Sequence, residues 1–165
     1  MAANAECVWG TVWGGNGGSR TWEFIIPDGS RLTKIDLCSG NALDFIRFTY
    51  KDGYGHTHTS EKFGGDGGSS HMIIFDDNEY LIGISGRVGS FGDNTVITSV
   101  TFQTNIRTYG EYGTNPGTDF SFGVTRGKFS GFYGKCGSSV DSLGVILQAS
   151  HAPSLRSMVQ VPSWT

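Results

Sequence analysis

At 165 residues, with 26 glycines, 13% aromatic and 16% charged residues, the chain is long enough for one folded domain and too rich in Trp, Phe and Tyr to be disordered. A formal net charge of -3 and the lack of any Lys/Arg run exclude the positive field that displaces counterions from nucleic acid. No apolar stretch approaches about 20 residues, which excludes a membrane-spanning helix and membrane insertion by that route.

Taken from the start, Met1-Ala-Ala-Asn-Ala-Glu lacks the basic and apolar regions of a secretory signal. Three cysteines, Cys7, Cys38 and Cys136, make an odd number unlike a disulfide framework. Both features lead to the expectation of a reducing compartment, the cytoplasm or cytoplasm and nucleus together. From Trp13 the chain runs through three segments of one plan, about fifty residues each. The first has the glycine-rich stretch GGNGGS, the apolar run WEFII, a Pro27-Asp28-Gly29 turn, and the strands LTKIDLCSG and LDFIRFTY. The second opens at Phe63 with GGDGGS, followed by HMIIF, an acidic turn Asp76-Asp77-Asn78, YLIGISG and ITSVTFQT. The third opens at Tyr112 with GTNPGT, followed by DFSFGV, KFSGFYGKCG and DSLGVIL.

Alternation such as Ile35-Asp36-Leu37 and Ile46-Arg47-Phe48 is the period of half-buried strands, and no window of a dozen residues carries a helical period. Four strands per segment predict twelve in all, arranged as three small antiparallel sheets around one apolar axis with pseudo-threefold symmetry. A propeller fits less well, since it needs at least four blades. The domain is expected over residues 1–150, with 151–165 as a tail that carries two prolines and no strand pattern and that Trp164 could anchor.

Two loops repeat Gly-x-x-x-Asp directly before a strand: Gly40-Asn41-Ala42-Leu43-Asp44 and Gly137-Ser138-Ser139-Val140-Asp141. A carboxylate at a strand entrance accepts hydrogen bonds, and amides of a tight loop donate, so adjacent sugar hydroxyls suit the pair. Asp also caps turns in unliganded loops, and a duplicated fold would repeat that role as well.

The opening Trp13-Gly14-Gly15-Asn16-Gly17-Gly18 and the run Gly131-Phe132-Tyr133-Gly134-Lys135-Cys136-Gly137-Ser138-Ser139-Val140-Asp141-Ser142-Leu143 resemble jacalin-related lectins, as do Phe63-Gly64-Gly65-Asp66-Gly67-Gly68 and Thr108-Tyr109-Gly110-Glu111-Tyr112-Gly113. The resemblance covers roughly residues 8 to 148. It implies an all-β fold, the β-prism I, of three four-stranded antiparallel sheets, and sugar binding with no metal or other cofactor and no enzymatic activity. By that resemblance a first site comprises Gly18, Gly137, Ser138, Ser139, Val140 and Asp141, in which Asp141 accepts from two hydroxyls and the amides of Ser138 to Val140 donate. A second site comprises Gly68, Gly40, Asn41, Ala42, Leu43 and Asp44. The implied partners are mannose- and glucose-containing glycans and glycoproteins. Galactose-preferring members are cleaved next to the site, whereas here the residues before Gly14 run on unbroken. A homodimer or larger homo-oligomer is implied too, because weak sites gain from multivalency.

The middle segment departs from the pattern. Asp93 of Gly89-Ser90-Phe91-Gly92-Asp93 lies too far from its strand, and Pro116 removes a donor, so no third site is expected. A β-prism that serves only protein contacts, its sugar loops vestigial, is the alternative. Catalytic readings are weaker. His56 and His58 lack a third metal ligand at a recognisable spacing, Cys136 lacks an orienting His and Asp, and neither a nucleophile elbow nor a phosphate loop is present.

Overall fold

The computed structural model describes residues 6–148. The expected tail, 151–165, lies outside the described residues. Thirteen strands form, and no helix occurs among the described residues. They are β1 (Cys7–Gly14), β2 (Arg20–Ile25), β3 (Arg31–Ser39), β4 (Leu43–Lys51), β5 (Thr57–Thr59), β6 (Phe63–Gly64), β7 (Ser69–Ile74), β8 (Leu81–Phe91), β9 (Asn94–Thr104), β10 (Thr108–Tyr112), β11 (Thr118–Gly123), β12 (Phe129–Cys136) and β13 (Ser142–Gln148).

Three antiparallel sheets result. Sheet A has the order β1-β13-β12-β2, sheet B β5-β4-β3-β7, and sheet C β10-β9-β8-β11. The thirteenth strand is a matter of interruption. β5 pairs Thr59 with Thr49, and β6 pairs Phe63 with Ile46, so both lie along the same edge of β4 and act as one broken strand. Each sheet is therefore four-stranded, as the alternation predicts.

The sheets are out of phase with the sequence repeat. Each glycine-rich stretch joins the two edge strands of one sheet, β1 to β2, β6 to β7 and β10 to β11, so the first strand of a segment closes one sheet and the remainder builds the next. Equivalent aromatic residues fasten the three corners. Trp22 stacks on Phe63 with ring centroids 4.8 Å apart, His71 meets Tyr112 at 4.8 Å, and Phe120 stacks on Trp13 at 4.6 Å. Phe63, Tyr112 and Trp13 each directly precede a glycine-rich stretch. Such pairs add about 0.5–1.5 kcal/mol beyond the area they bury.

Inward-facing residues of all three sheets fill the axis. Phe48 of sheet B and Phe102 of sheet C both pack on Phe132 of sheet A, at 5.4 and 6.0 Å, and all three are fully buried. At one end of this core Leu43, Val140 and Ile97 converge, each without solvent exposure. The Val140 amide donates to the Leu43 carbonyl (2.8 Å), and the Ile97 amide donates to the Val140 carbonyl (3.0 Å). This hub fixes the residue next in sequence to each of the three, namely Asp44, Asp141 and Thr98.

Candidate functional site

Asp44 and Asp141 occupy equivalent places. The Gly65 amide donates to the Asp44 carbonyl at 2.9 Å, as the Gly15 amide does to the Asp141 carbonyl at 2.9 Å. Each loop before its Asp closes by the same short bond, Gly40 N–H to the Ala42 carbonyl (3.0 Å) and Gly137 N–H to the Ser139 carbonyl (2.9 Å). The shared backbone geometry shows that the repeated Gly-x-x-x-Asp spacing encodes one local structure twice.

The glycine-rich stretches bring the remaining predicted residues in. A Cβ on Gly18 would sit 2.9 Å from Asp141 Oδ1 and 3.0 Å from the Cys136 backbone, and its φ is +96°. Gly68, at φ +76°, lies so close to Asp44 that a Cβ there would collide with Oδ2. Only glycine combines that backbone conformation with that approach. The first set (Gly18, Gly137, Ser138, Ser139, Val140, Asp141) thus forms one cluster, and the second set (Gly68, Gly40, Asn41, Ala42, Leu43, Asp44) forms another.

Within each cluster the donors divide. The Val140 amide is committed to Leu43, so the expectation that Ser138 to Val140 all donate outward is corrected to Ser138 and Ser139. Neither of those two amides has an intramolecular acceptor among the described residues. Val140, Leu43 and Ala42 are buried and support the loops from beneath. The Ser139 hydroxyl is buried without a partner.

The carboxylates are the electrostatic centre. Asp141 is 4% and Asp44 9% exposed. Burial pushes both above the usual carboxylate range, offset for Asp141 by its own backbone amide. No side chain among the described residues donates a hydrogen bond to either. A desolvated carboxylate short of donors, next to free amides, is a ready acceptor for paired hydroxyl groups.

The third position differs. Thr98 stands where Asp44 and Asp141 stand, fully buried, its hydroxyl donating to the Arg87 carbonyl at 3.3 Å. A Cβ on Gly113 would collide with the Thr98 carbonyl, as one on Gly14 or Gly64 would with Asp141 or Asp44. Asp93 sits instead at the tip of the long β8–β9 hairpin, whose last pair is Phe91 with Asn94. That tip leans over the first cluster: a Cβ on Gly15 would collide with the Thr95 carbonyl, and one on Gly17 would lie 3.6 Å from Asn94 Oδ1. The second cluster has a lower neighbour, because Gly65 packs on Ser138. Sequence reasoning missed Asn94, Thr95 and Thr98, since a lengthened hairpin hides their register.

The histidines weighed for catalysis are placed elsewhere. His58 Nε2 lies 2.7 Å from Asp52 Oδ2 in an exposed turn, and the bond to His58 first, then amides of that turn, hold Asp52 down at about 2. Cys136 is buried, which pushes its thiol up and away from the thiolate form. Among the described residues no three His, Cys, Asp or Glu side chains are grouped to hold a metal ion.

Comparison with known proteins places this geometry. The family model of the jacalin-like lectin domain matches residues 11–146. Horcolin of Hordeum vulgare is 37% identical over 134 residues, covering 80% of this chain and 90% of its own. An agglutinin of Castanea crenata is 35% identical over 141 residues, 83% of this chain but 45% of the agglutinin, so the chain spans less than half of that relative. Among solved structures, a mannose-binding jacalin-related lectin from Ananas comosus is 41% identical and superposes with a TM-score of 0.76, covering 86% of this chain and 96% of the other.

Proposed function

Because the chain belongs to the jacalin-like lectin family, we propose that it binds mannose- or glucose-type sugar units in two sites that need no metal, one at Asp141 and one at Asp44. Carbohydrate binding itself comes with the family. The observation that carries the finer reading is the repeated pairing of a donor-poor, desolvated carboxylate with open loop amides. In each site the Asp carboxylate accepts from two adjacent hydroxyls, and the amides of Ser138 and Ser139, or of Asn41 and Ala42, donate to ring or hydroxyl oxygens. Gly18 and Gly68 let the ligand reach the backbone. The relative from Ananas comosus is itself mannose-binding, and β1 of this chain runs unbroken into Gly14, which supports mannose or glucose over galactose.

These groups bind rather than react. The two carboxylates belong to separate sites, and burial keeps the Cys136 thiol away from the thiolate form, which supports a non-enzymatic role. Exchange of water hydrogen bonds for protein ones leaves each site weak, of the order of millimolar. Avidity then comes from two sites per chain and from self-association as a homodimer or larger homo-oligomer. The contact face for it is β1, an uncharged strand on which Val8, Trp9 and Val12 are each close to half exposed. Three free cysteines support a reducing, cytoplasmic setting.

Isothermal titration with methyl α-mannoside, methyl α-glucoside and galactose, with a chelator present, tests the reading. Two mannose or glucose sites per chain are expected, one lost in Asp141→Ala and the other in Asp44→Ala. Chelator-sensitive binding, galactose alone, or unchanged titration of both variants overturns it.

A further inference from the structure

The end of the prism remote from the sugar loops holds a cup of about 470 Å³ between the turns that join the sheets. β3, β8 and β12 start there, and β3 and β12 end beside the loops that carry Asp141 and Asp44. Each of these three strands supplies one buried apolar residue to the floor, namely Leu32, Leu81 and Phe129. Cavities of roughly 300–1,000 Å³ with an apolar lining and a few polar groups are the usual form of small-molecule sites.

The charges of the lining decide what fits. Three carboxylates, Asp28, Asp77 and Glu79, stand against two cations, Arg31 and Lys128. Arg31 is taken up by Asp77 at 3.2 Å. Glu79 accepts from Thr104 and Tyr109 at 2.6 and 2.8 Å, and Arg107, which comes within 3.8 Å of it, is shared with Asp76 at 2.8 Å. Asp28 differs from both. It accepts from the neutral amide of Gln148 at 3.3 Å and has no ion pair among the described residues. Lys128, its ammonium 5.8 Å from the centre of the Tyr80 ring, has none among them either. The Ile26 amide donates to the Ser130 carbonyl at 2.8 Å, so the segments that carry Asp28 and Lys128 run side by side. Lys128 thus offsets part of the Asp28 charge without binding it, and the lining keeps one negative charge in excess. A bound monocation brings it to three charges of each sign. An ammonium held on an apolar floor is screened less than in open water, so a neighbouring carboxylate counts for more there.

We propose that this cup binds an amphiphilic organic cation, an aryl- or alkylammonium, whose apolar body lies on Leu32, Leu81 and Phe129 and whose ammonium sits against Asp28. The chain then carries a sugar at one end of the prism and an apolar amine at the other. The two sites share no residue, so the sugar reading and this one fail separately.

Titration of the full chain with 1-naphthylmethylammonium, followed by amide chemical shifts, tests it. Saturable shifts centred on Gly29, Asn78 and Lys128 are expected, unchanged by excess methyl α-mannoside. Asp28→Asn, which keeps the acceptor for Gln148, should weaken binding about fivefold, and Lys128→Gln, which removes the competing charge, should tighten it about twofold. Melting curves and sugar titration check that both variants are folded. Equal affinity in Asp28→Asn, tighter binding of 1-naphthylacetate than of the ammonium, or shifts centred on the exposed Val8–Val12 strand overturns the assignment. So does a full chain that shows no saturable binding.

Discussion

Replacement of Asp141 by asparagine should move binding and stability in opposite directions. Burial raises the folded-state pKa of Asp141, so the ionised group destabilises the fold at neutral pH, and stability is gained as pH falls through that raised pKa. Asn keeps the shape and removes the charge, so the melting temperature at pH 7 should rise. The gain over wild type should shrink as acid protonates Asp141. Sugar binding goes the other way. Hydrogen bonds to a charged acceptor contribute about 1.5–3 kcal/mol each, and a millimolar site totals only about 4 kcal/mol. The loss of one of two such bonds pushes the dissociation constant to tens of millimolar or beyond, outside the titratable range. Calorimetric titration should then find one mannose site where wild type has two, with the Asp44 site unchanged. For the same reason wild-type binding should fade as pH falls through the raised pKa values of Asp141 and Asp44. Two retained sites in Asp141→Asn, or a lower melting temperature than wild type at pH 7, would refute the reasoning.

Other variants probe separate parts of the structure. Gly68→Ala forces a Cβ against Asp44 Oδ2 at a φ that costs an L-residue about 1–2 kcal/mol, so titration should lose the second site and keep the first. Gly86→Ala places a Cβ 2.8 Å from the Phe120 ring and against the Ser99 carbonyl, and calorimetry should show a loss of about 1–3 kcal/mol with sugar stoichiometry intact. Glu79 is buried, which raises its pKa, but bonds from Thr104, the Asp76 amide and Tyr109 and the charge of Arg107 outweigh this and hold it below the usual range. Its stabilisation is thus present above the unfolded pKa and lost as pH falls through the folded one, so Glu79→Gln should melt lower at pH 7 and show a flatter pH dependence below pH 5. Trp9→Ser combined with Val12→Asp should leave a folded chain that sediments at lower mass than wild type and agglutinates less, since both side chains are close to half exposed.

The sequence displays the sheets better than their boundaries. Alternation in residues 35–37 and 46–48 carries the period of the strands, and aromatic residues before each glycine-rich stretch mark the corners. What is hidden is which sheet a strand joins. β2 comes after the first glycine stretch yet pairs with β12, more than a hundred residues later, and no local pattern shows that. The two Asp loops are readable because spacing and register repeat. Thr98 is not, because the long β8–β9 hairpin moves the apparent motif to Asp93 at its tip. The commitment of the Val140 amide is hidden as well, since its acceptor, Leu43, lies far away in sequence.

Sheet A has an origin unlike the other two. Its strands β1 and β2 come from the first 25 residues and β12 and β13 from the end of the described chain, with Cys7 paired to Gln148. Sheets B and C draw on consecutive sequence and can close while the chain is still being made. Sheet A cannot, so β1 and β2 must wait for strand partners made more than a hundred residues later, and contacts of such sequence separation form slowly. In that interval, the early strands of one chain can meet the late strands of another. An exchanged dimer, with sheet A shared between two molecules, is thus the characteristic hazard of crowded synthesis for this architecture.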